Sequence, residues 1–263
     1  MIVNTYSPGP ICVKGCAFDD FILTNHLPPD QAPLVIERDR LFMSARPGFN
    51  RKLLPLRIER ESGVIYSGGR YLFDTYENAV AFSDWCRNEF ELDGVLILER
   101  PDFAEVTAQV YHVIGAYDFK DVHTSQIAYR SELWRTSDPS VCDKLANLWP
   151  QLRDRAAEEG RASLWLIYND EIGEVGLVTV TDRVGARNKT GLDYATLDAL
   201  ESATSYGLDW QHEGWVEKTF DRSHWVFTVW FPNNGDADTK PALWPNSPPL
   251  PSPFVINRAK SAA

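Results

Sequence analysis

The rhythm of apolar and polar positions changes several times along the chain, and each change marks an element. Val64 to Asp74, VIYSGGRYLFD, is rich in β-branched and aromatic residues and reads as a strand, with Gly68 and Gly69 marking a bulge or a close backbone approach. The period then lengthens: Ala79, Phe82, Cys86 and Phe90 recur at helical spacing behind Thr75, whose side chain can cap the first turn. Asp93-Gly94 turns the chain into a short strand at Val95 to Leu98 and a longer one at Val106 to Phe119. Gln126 to Thr136 is a further strand. Asp138-Pro139 opens a helix with a stripe of Val141, Leu145, Leu148 and Leu152, which Pro150 should kink or split and Gly160 should end. Leu164 to Tyr168 and Val175 to Thr181 form a hairpin over Asn169-Asp170-Glu171, Asp193 caps another helix, and His224 to Phe231 is the last strand.

Proline sets the ends apart. Residues 1–55 carry Pro8, Pro10, Pro28, Pro29, Pro33, Pro47 and Pro55 and read as an irregular arm, with a short strand at Leu34 to Ile36. Residues 233–263 form a Pro-rich tail in which Trp244 and Phe254 are the apolar anchors, able to wrap the domain or a second subunit.

Strand, helix, strand, strand, helix, strand is the βαββαβ order of a ferredoxin-like unit. Residues 124–232 supply it in full, and residues 56–123 supply it without a convincing second helix. Two such units in tandem resemble the dimeric α/β-barrel superfamily, over roughly residues 60 to 232 and by element order. The resemblance implies an α+β fold in which two antiparallel ferredoxin-like sheets form an α/β barrel around a cavity. The superfamily includes cofactor-free monooxygenases, lactone isomerases, decarboxylases and haem-binding proteins.

Charge and composition narrow the partners. A net charge of -11, with 26 Lys plus Arg against 37 Asp plus Glu, disfavours nucleic acid, whose phosphates are held by clustered cations. The start of the chain has no basic region followed by an apolar stretch, and no segment is long and apolar enough for a bilayer, so a cytoplasmic protein with no membrane partner is expected. Cys12, Cys16, Cys86 and Cys142 form no C-x-x-C pair and read as buried thiols rather than metal ligands. Phosphate-cradling loops, the nucleophile elbow and H-E-x-x-H are all missing from the sequence.

Candidate chemistry follows from strand alternation. In the Gln126 strand, Ile127, Tyr129, Ser131 and Leu133 suit packing against helices, whereas Gln126, Ala128, Arg130, Glu132 and Trp134 would face a cavity. There Arg130 can hold an oxyanion, Glu132 can act as base or orient Arg130, and Trp134 can stack on a ring. His112, in a row with Ala108, Val110, Ile114 and Ala116, is either a core histidine or the group that moves the proton. Tyr66 and Arg70 flank Gly68, whose missing side chain either leaves a gap for a ligand or marks a bulge that curves the sheet; His123, in a loop with Lys120 and Asp121, is the second choice for the acid-base histidine, and His224 could reach a cavity mouth. The loop Asp182 to Gly191, with Arg183, Arg187 and Lys189, is a solvated connection or a cationic lid.

Together these point to a cofactor-independent enzyme doing acid-base chemistry, as a lyase of retro-aldol type or an isomerase, on a small hydrophobic aromatic molecule. His112, Arg130 and Glu132 carry the chemistry, with Trp134, Tyr66, Arg70, His123 and His224 around the substrate. The alternatives are a haem enzyme with His112, His123 or His224 as axial ligand, a cofactor-free monooxygenase, and a non-catalytic binding protein. A homodimer joined through the tail is the expected assembly.

Overall fold

A computed structural model describes residues 8–24, 32–122, 127–183 and 193–232, with residues 32–37 described by backbone alone. In chain order the elements are β1 (Gly9–Pro10), β2 (Gly15–Leu23), α1 (Ala32–Met43), β3 (Phe49–Ile58), β4 (Ile65–Phe73), α2 (Tyr76–Asn88), β5 (Glu91–Leu92) and β6 (Val95–Leu96). They continue as β7 (Phe103–Asp118), β8 (Ile127–Arg135), α3 (Val141–Glu158), β9 (Ser163–Asn169), β10 (Glu174–Asp182), α4 (Tyr194–Ser202), α5 (Leu208–His212) and β11 (Glu217–Trp230). Ladder order runs β1-β7-β2-β4-β3-β11-β8-β10-β9, and β7 pairs again with β9. The eight long strands are therefore connected in a cycle, the topology of an antiparallel α+β barrel.

Both βαββαβ orders are complete. β8-α3-β9-β10-α4-β11 matches the expected second set, with strand order β11-β8-β10-β9. The other is β2-α1-β3-β4-α2-β7, in the equivalent order β7-β2-β4-β3. It begins at Gly15, so the strand expected to open the first unit, β4, is its third, and the helix thought to be missing is α1. The expected strand at Leu34 to Ile36 lies inside α1. Pro33 sits in the first turn, where a helix does not need its missing N–H. Nor is the described part of the N-terminal segment irregular. Pro55 is accommodated within β3 because the ladder to β4 skips Leu54 and Pro55, and the Pro55 carbonyl accepts from Ser67 Oγ at 2.8 Å instead.

Local signals held in most places. The Asn78 N–H donates to Thr75 Oγ1 at 3.1 Å at the start of α2, and the Thr196 N–H donates to Asp193 Oδ1 at 3.2 Å at the start of α4. Gly160 ends α3 with φ +70°. Pro150 does not split α3, which runs unbroken from Val141 to Glu158. Pro139 lies outside that helix, and the Asp138 carboxylate accepts from the Ser140 N–H at 2.9 Å just ahead of it.

Compactness divides the described residues into one unit of 15–24, 32–110 and 226–232, and another of 8–14, 111–122, 127–183 and 193–225. In the former, Phe49, Tyr71, Phe73 and Ala17 on the sheet pack against Met43 of α1 and Ala79, Phe82 and Cys86 of α2. In the latter, Trp134, Leu164, Leu166, Val175 and Leu177 pack against Val141, Leu145 and Leu152 of α3 and Trp210 of α5.

One irregularity in β3 decides what enters the first of these cores. Phe49 pairs with Phe73, then the register slips so that Arg51 pairs with Leu72 and Lys52 with Tyr71. In an unbroken strand, positions 49 and 52 would face opposite ways. The extra residue lets Phe49 and Lys52 share the helix-covered face.

Gly68 is the second constraint. A Cβ there would lie 1.9 Å from the Asp19 backbone carbonyl, so the space that sequence reading left for a ligand is taken by β2. Gly68→Ala is expected to lower the unfolding free energy by at least about 2 kcal/mol in urea titration, by overpacking against immovable backbone. A variant as stable as the parent would show that β2 and β4 can separate freely.

Candidate active site

The candidate site residues fall unevenly in the two units: His112, Arg130, Glu132, Trp134 and His224 belong to one, and Tyr66 and Arg70 to the other. Arg130 and Glu132 are together, but under the helices. Trp134, on the same face, is fully buried among Val141, Leu145 and Trp210, and Arg130 Nη1 donates to the carbonyls of Leu200 at 3.0 Å and Ala203 at 2.8 Å, at the end of α4. The face assignment of β8 is therefore reversed: Arg130, Glu132 and Trp134 face the helices, and Ile127, Tyr129, Ser131 and Leu133 the other way. Both faces are covered, so apolar character does not distinguish them, and the carbonyls closing α4 call for a donor that only the Arg130 face supplies. Gln126 lies outside the described residues.

Arg130 is fully engaged. Its Nε and Nη2 donate to the two Asp221 oxygens, each at 2.6 Å, and Nη2 lies 3.3 Å from Glu132 Oε1. Lys218 Nζ reaches Glu132 Oε1 at 2.6 Å and Asp221 Oδ2 at 2.8 Å. Burial disfavours both charges, but the hydrogen bonds and Glu132 raise the Arg130 pKa, while Arg130 and Lys218 hold the Asp221 carboxyl low. Beside this network is a small surface cleft with room for about one water molecule, lined by Arg130, Glu132, Arg161, Thr179 and Tyr206 among others.

The remaining candidates are dispersed. His112 is no core histidine: its side chain is 44% exposed, with Nε2 3.8 Å from Asp170 Oδ1. His224 is buried and stacked on Tyr129 with centroids 5.3 Å apart. Arg70 is buried on β4, donating to both Asp20 carboxylate oxygens at 2.8 and 3.0 Å and covering the Phe18 ring at 4.1 Å. Tyr66 is half-buried on the same strand. His123, Arg187, Lys189, Trp244 and Phe254 lie outside the described residues.

A different group has the marks of a reactive centre. Lys52, placed in the helix-covered layer by the β3 bulge, is only 5% exposed. Its Nζ lies 4.0 Å from the centroid of Trp230 and 4.6 Å from that of Tyr71. Among the described residues no acceptor lies within hydrogen-bond or ion-pair distance of it. Cationic side chains are rarely buried without such a partner. Gly69 makes room for one wall, since a Cβ there would lie 2.1 Å from the Tyr71 ring.

Around Lys52 the protonation equilibria are displaced. Burial pulls the Lys52 amine down to about 8, against the attraction of Asp19 and Asp39. Burial likewise pushes the carboxyls of Asp19 on β2 and Asp39 on α1 up to about 6, against the pull of Lys52. The Tyr71 hydroxyl, which donates to Met43 Sδ at 3.5 Å, is raised by burial and by the nearby Asp19 carboxyl, and the Cys86 thiol by burial and by Asp19. Several buried polar atoms nearby lack a hydrogen-bond partner: Trp230 Nε1, Asp39 Oδ1 and Arg100 Nη1. The last two are 4.0 Å apart, a gap that one bridging oxygen atom would close.

Sequence reading missed Lys52 and Asp19 because strict alternation hides them. The available signal was a Lys within an otherwise apolar run, KLLPL.

No family model matches the chain, and no curated protein matches it. Solved structures do. A candidate monooxygenase from Fusobacterium nucleatum is similar with a TM-score of 0.55 at 15% identity, over 84% of this chain and 95% of that one. Another from Lactobacillus acidophilus gives 0.51 at 10% identity over 84% and 97%, and an anthrone oxidase-like protein gives 0.53 at 10% identity over 86% and 97%. At these identities the likeness establishes the fold.

The displaced carboxyls give a pH signature. Asp19 and Asp39 bind protons more tightly folded than unfolded, so their contribution to stability is complete below about pH 4 and is lost as pH rises through about 6. Asp19→Asn is expected to remove its share, on the order of 2 kcal/mol, from the stability change between about pH 4 and pH 7 measured by urea unfolding. Unchanged pH dependence would show that Asp19 is solvated in the fold.

Proposed function

We propose that the protein is a cofactor-independent enzyme performing acid-base chemistry on a small aromatic, oxygen-bearing molecule, with Lys52, Asp19 and Tyr71 handling the proton. One observation carries this: a nearly buried amine with no counter-charge within ion-pair distance, walled by two aromatic rings. A desolvated amine is a competent base near neutral pH, and the rings of Tyr71 and Trp230 suit a flat substrate. Asp19 and Asp39, with carboxyls near neutrality, can pass the proton on. Trp230 Nε1, buried without a hydrogen-bond partner in the ring that Lys52 covers, is a donor available to an anion developing on the substrate.

Two reactions suit this arrangement. Deprotonation can lead to carbon-carbon cleavage or isomerisation, or it can yield an electron-rich anion that reacts directly with dioxygen. The similarity in fold to candidate monooxygenases and to an anthrone oxidase-like protein favours including the second. Haem is a poorer fit among the described residues: His112 is on an exposed face beside Asp170, and His224 is closed over by Tyr129. Chemistry at the Arg130–Glu132 cleft is the second reading, favoured by its access to solvent. In the Lys52 proposal, Arg130 holds α4 to the sheet.

The test uses chelator-treated full-length protein with anthrone, following dioxygen uptake and conversion of the CH2 group to a carbonyl with release of water. An aryl β-hydroxyketone is assayed in parallel for cleavage. Lys52→Met is expected to lower turnover at least 100-fold, while the unfolding temperature stays level or rises because an uncompensated buried charge is replaced by an apolar side chain of similar length. Glu132→Gln should leave turnover within a few-fold of the parent. Full activity in Lys52→Met, or its loss only in Glu132→Gln, would move the chemistry to the cleft. Binding of both probes without turnover would make the protein a carrier.

A further inference from the structure

We propose that Lys52 acts as a nucleophile, condensing with the carbonyl of a β-hydroxy aldehyde or ketone to form an imine, and that aromatic β-hydroxy carbonyl compounds are its substrate class. This rests on placing the active site in the Lys52 layer, and adds a covalent intermediate that a simple base does not require.

Geometry distinguishes Lys52 from other buried cations. Arg70 is held by the Asp20 carboxylate and Arg130 by Asp221, whereas no carboxylate is within 4.0 Å of Lys52 Nζ among the described residues. An ammonium serving as a structural staple would be expected to have an ion-pair partner. What surrounds Nζ is two ring faces, with Asp19 on β2, Asp39 on α1 and Cys86 on α2 near enough to be felt electrostatically. An amine in such surroundings keeps a neutral fraction near pH 7, as nucleophilic lysines require.

Each group then has a role in a balanced sequence. The amine lone pair attacks the carbonyl carbon, and the carbonyl oxygen takes a proton to give a carbinolamine. Its hydroxyl leaves as water with a second proton, supplied by the Asp19 carboxyl, and an iminium remains. The iminium draws in the electron pair of the adjacent carbon-carbon bond as the β-hydroxyl yields its proton to the Asp39 carboxylate, releasing an aldehyde. Protonation of the enamine and hydrolysis return the second carbonyl product and the free amine. No oxidant or reductant is consumed.

Borohydride trapping tests this on the wild-type chain. Full-length protein is incubated with an aryl β-hydroxyketone whose cleavage frees a fluorescent naphthaldehyde, then reduced with sodium borohydride, digested and mapped by tandem mass spectrometry. The reduced adduct is expected on Lys52 at least 10-fold above Lys14, Lys120, Lys144 or Lys218, with aldehyde release. Lys52→Arg, which keeps the cation but cannot form an imine, should abolish both. Even labelling of surface lysines, or cleavage that survives in Lys52→Arg, overturns the proposal. If Lys52→Met loses anthrone turnover but the wild type gives no adduct, the base assignment stands and the imine falls. If neither changes, both fall.

Discussion

A buried amine without a counter-charge is the constraint around which one half of this protein is arranged. An ammonium moved from water into an apolar layer loses solvation worth several kcal/mol, and two ring faces return only about 2 kcal/mol of it. The layer responds where it can: the amine's proton affinity falls, and the nearest carboxyls retain protons that they would lose in water. None of these adjustments removes the strain. Several features that are otherwise unrelated act to keep Lys52 in place. They include the register slip after Phe49, the missing Cβ at Gly69 that admits the Tyr71 ring, and the close approach of β2 to Gly68 that sets Asp19 on the same layer.

The two βαββαβ units place polar groups beneath their helices in opposite ways. Under α4, every charge is answered: Arg130 by Asp221, Glu132 by Lys218, and the end of the helix by the remaining guanidinium donors. The raised pKa of Arg130 and the lowered pKa of Asp221 keep that pair charged, which suits a joint between helix and sheet. Under α1 and α2, Arg100 is held by Asp102 and reaches Asp39 only at 4.0 Å, while Lys52 and Asp19 are near each other without an ion pair, so small changes in solvation move protons. The same architecture thus supports a settled network in one unit and a titrating one in the other, and only the second has the properties that proton transfer near neutral pH needs.

Legibility from sequence followed the same physical lines. Elements announced by local chemistry were readable: the Thr75 and Asp193 caps, the Asn169 turn and the Gly160 stop all depend on residues within one turn of each other. The α1 helix was not, because its Leu34-Val35-Ile36 run has the composition of a strand and the prolines around it suggested an irregular arm. Arg130 and Glu132 were rightly paired, but their face was inverted, since β8 is covered on both sides and the demand for donors comes from carbonyls about 70 residues away. Lys52 could not be placed at all by counting. A single extra residue in β3 reverses the parity of everything after it, and nothing in the sequence announces that extra residue.

That inversion of parity also sets the proposed reactive group, a lysine, on a strand rather than on a loop. Strand positions are fixed by ladders on both sides, so β3 cannot swing Lys52 out to solvent without breaking its pairing to β4. A loop lysine would relax into water and recover its ordinary proton affinity. Holding the amine on a rigid strand preserves the cost of its desolvation in the folded state, and that preserved cost is what makes the neutral, nucleophilic form accessible. The other side of this arrangement is a penalty in stability, borne by the cooperative fold of the unit rather than by any contact that Lys52 makes.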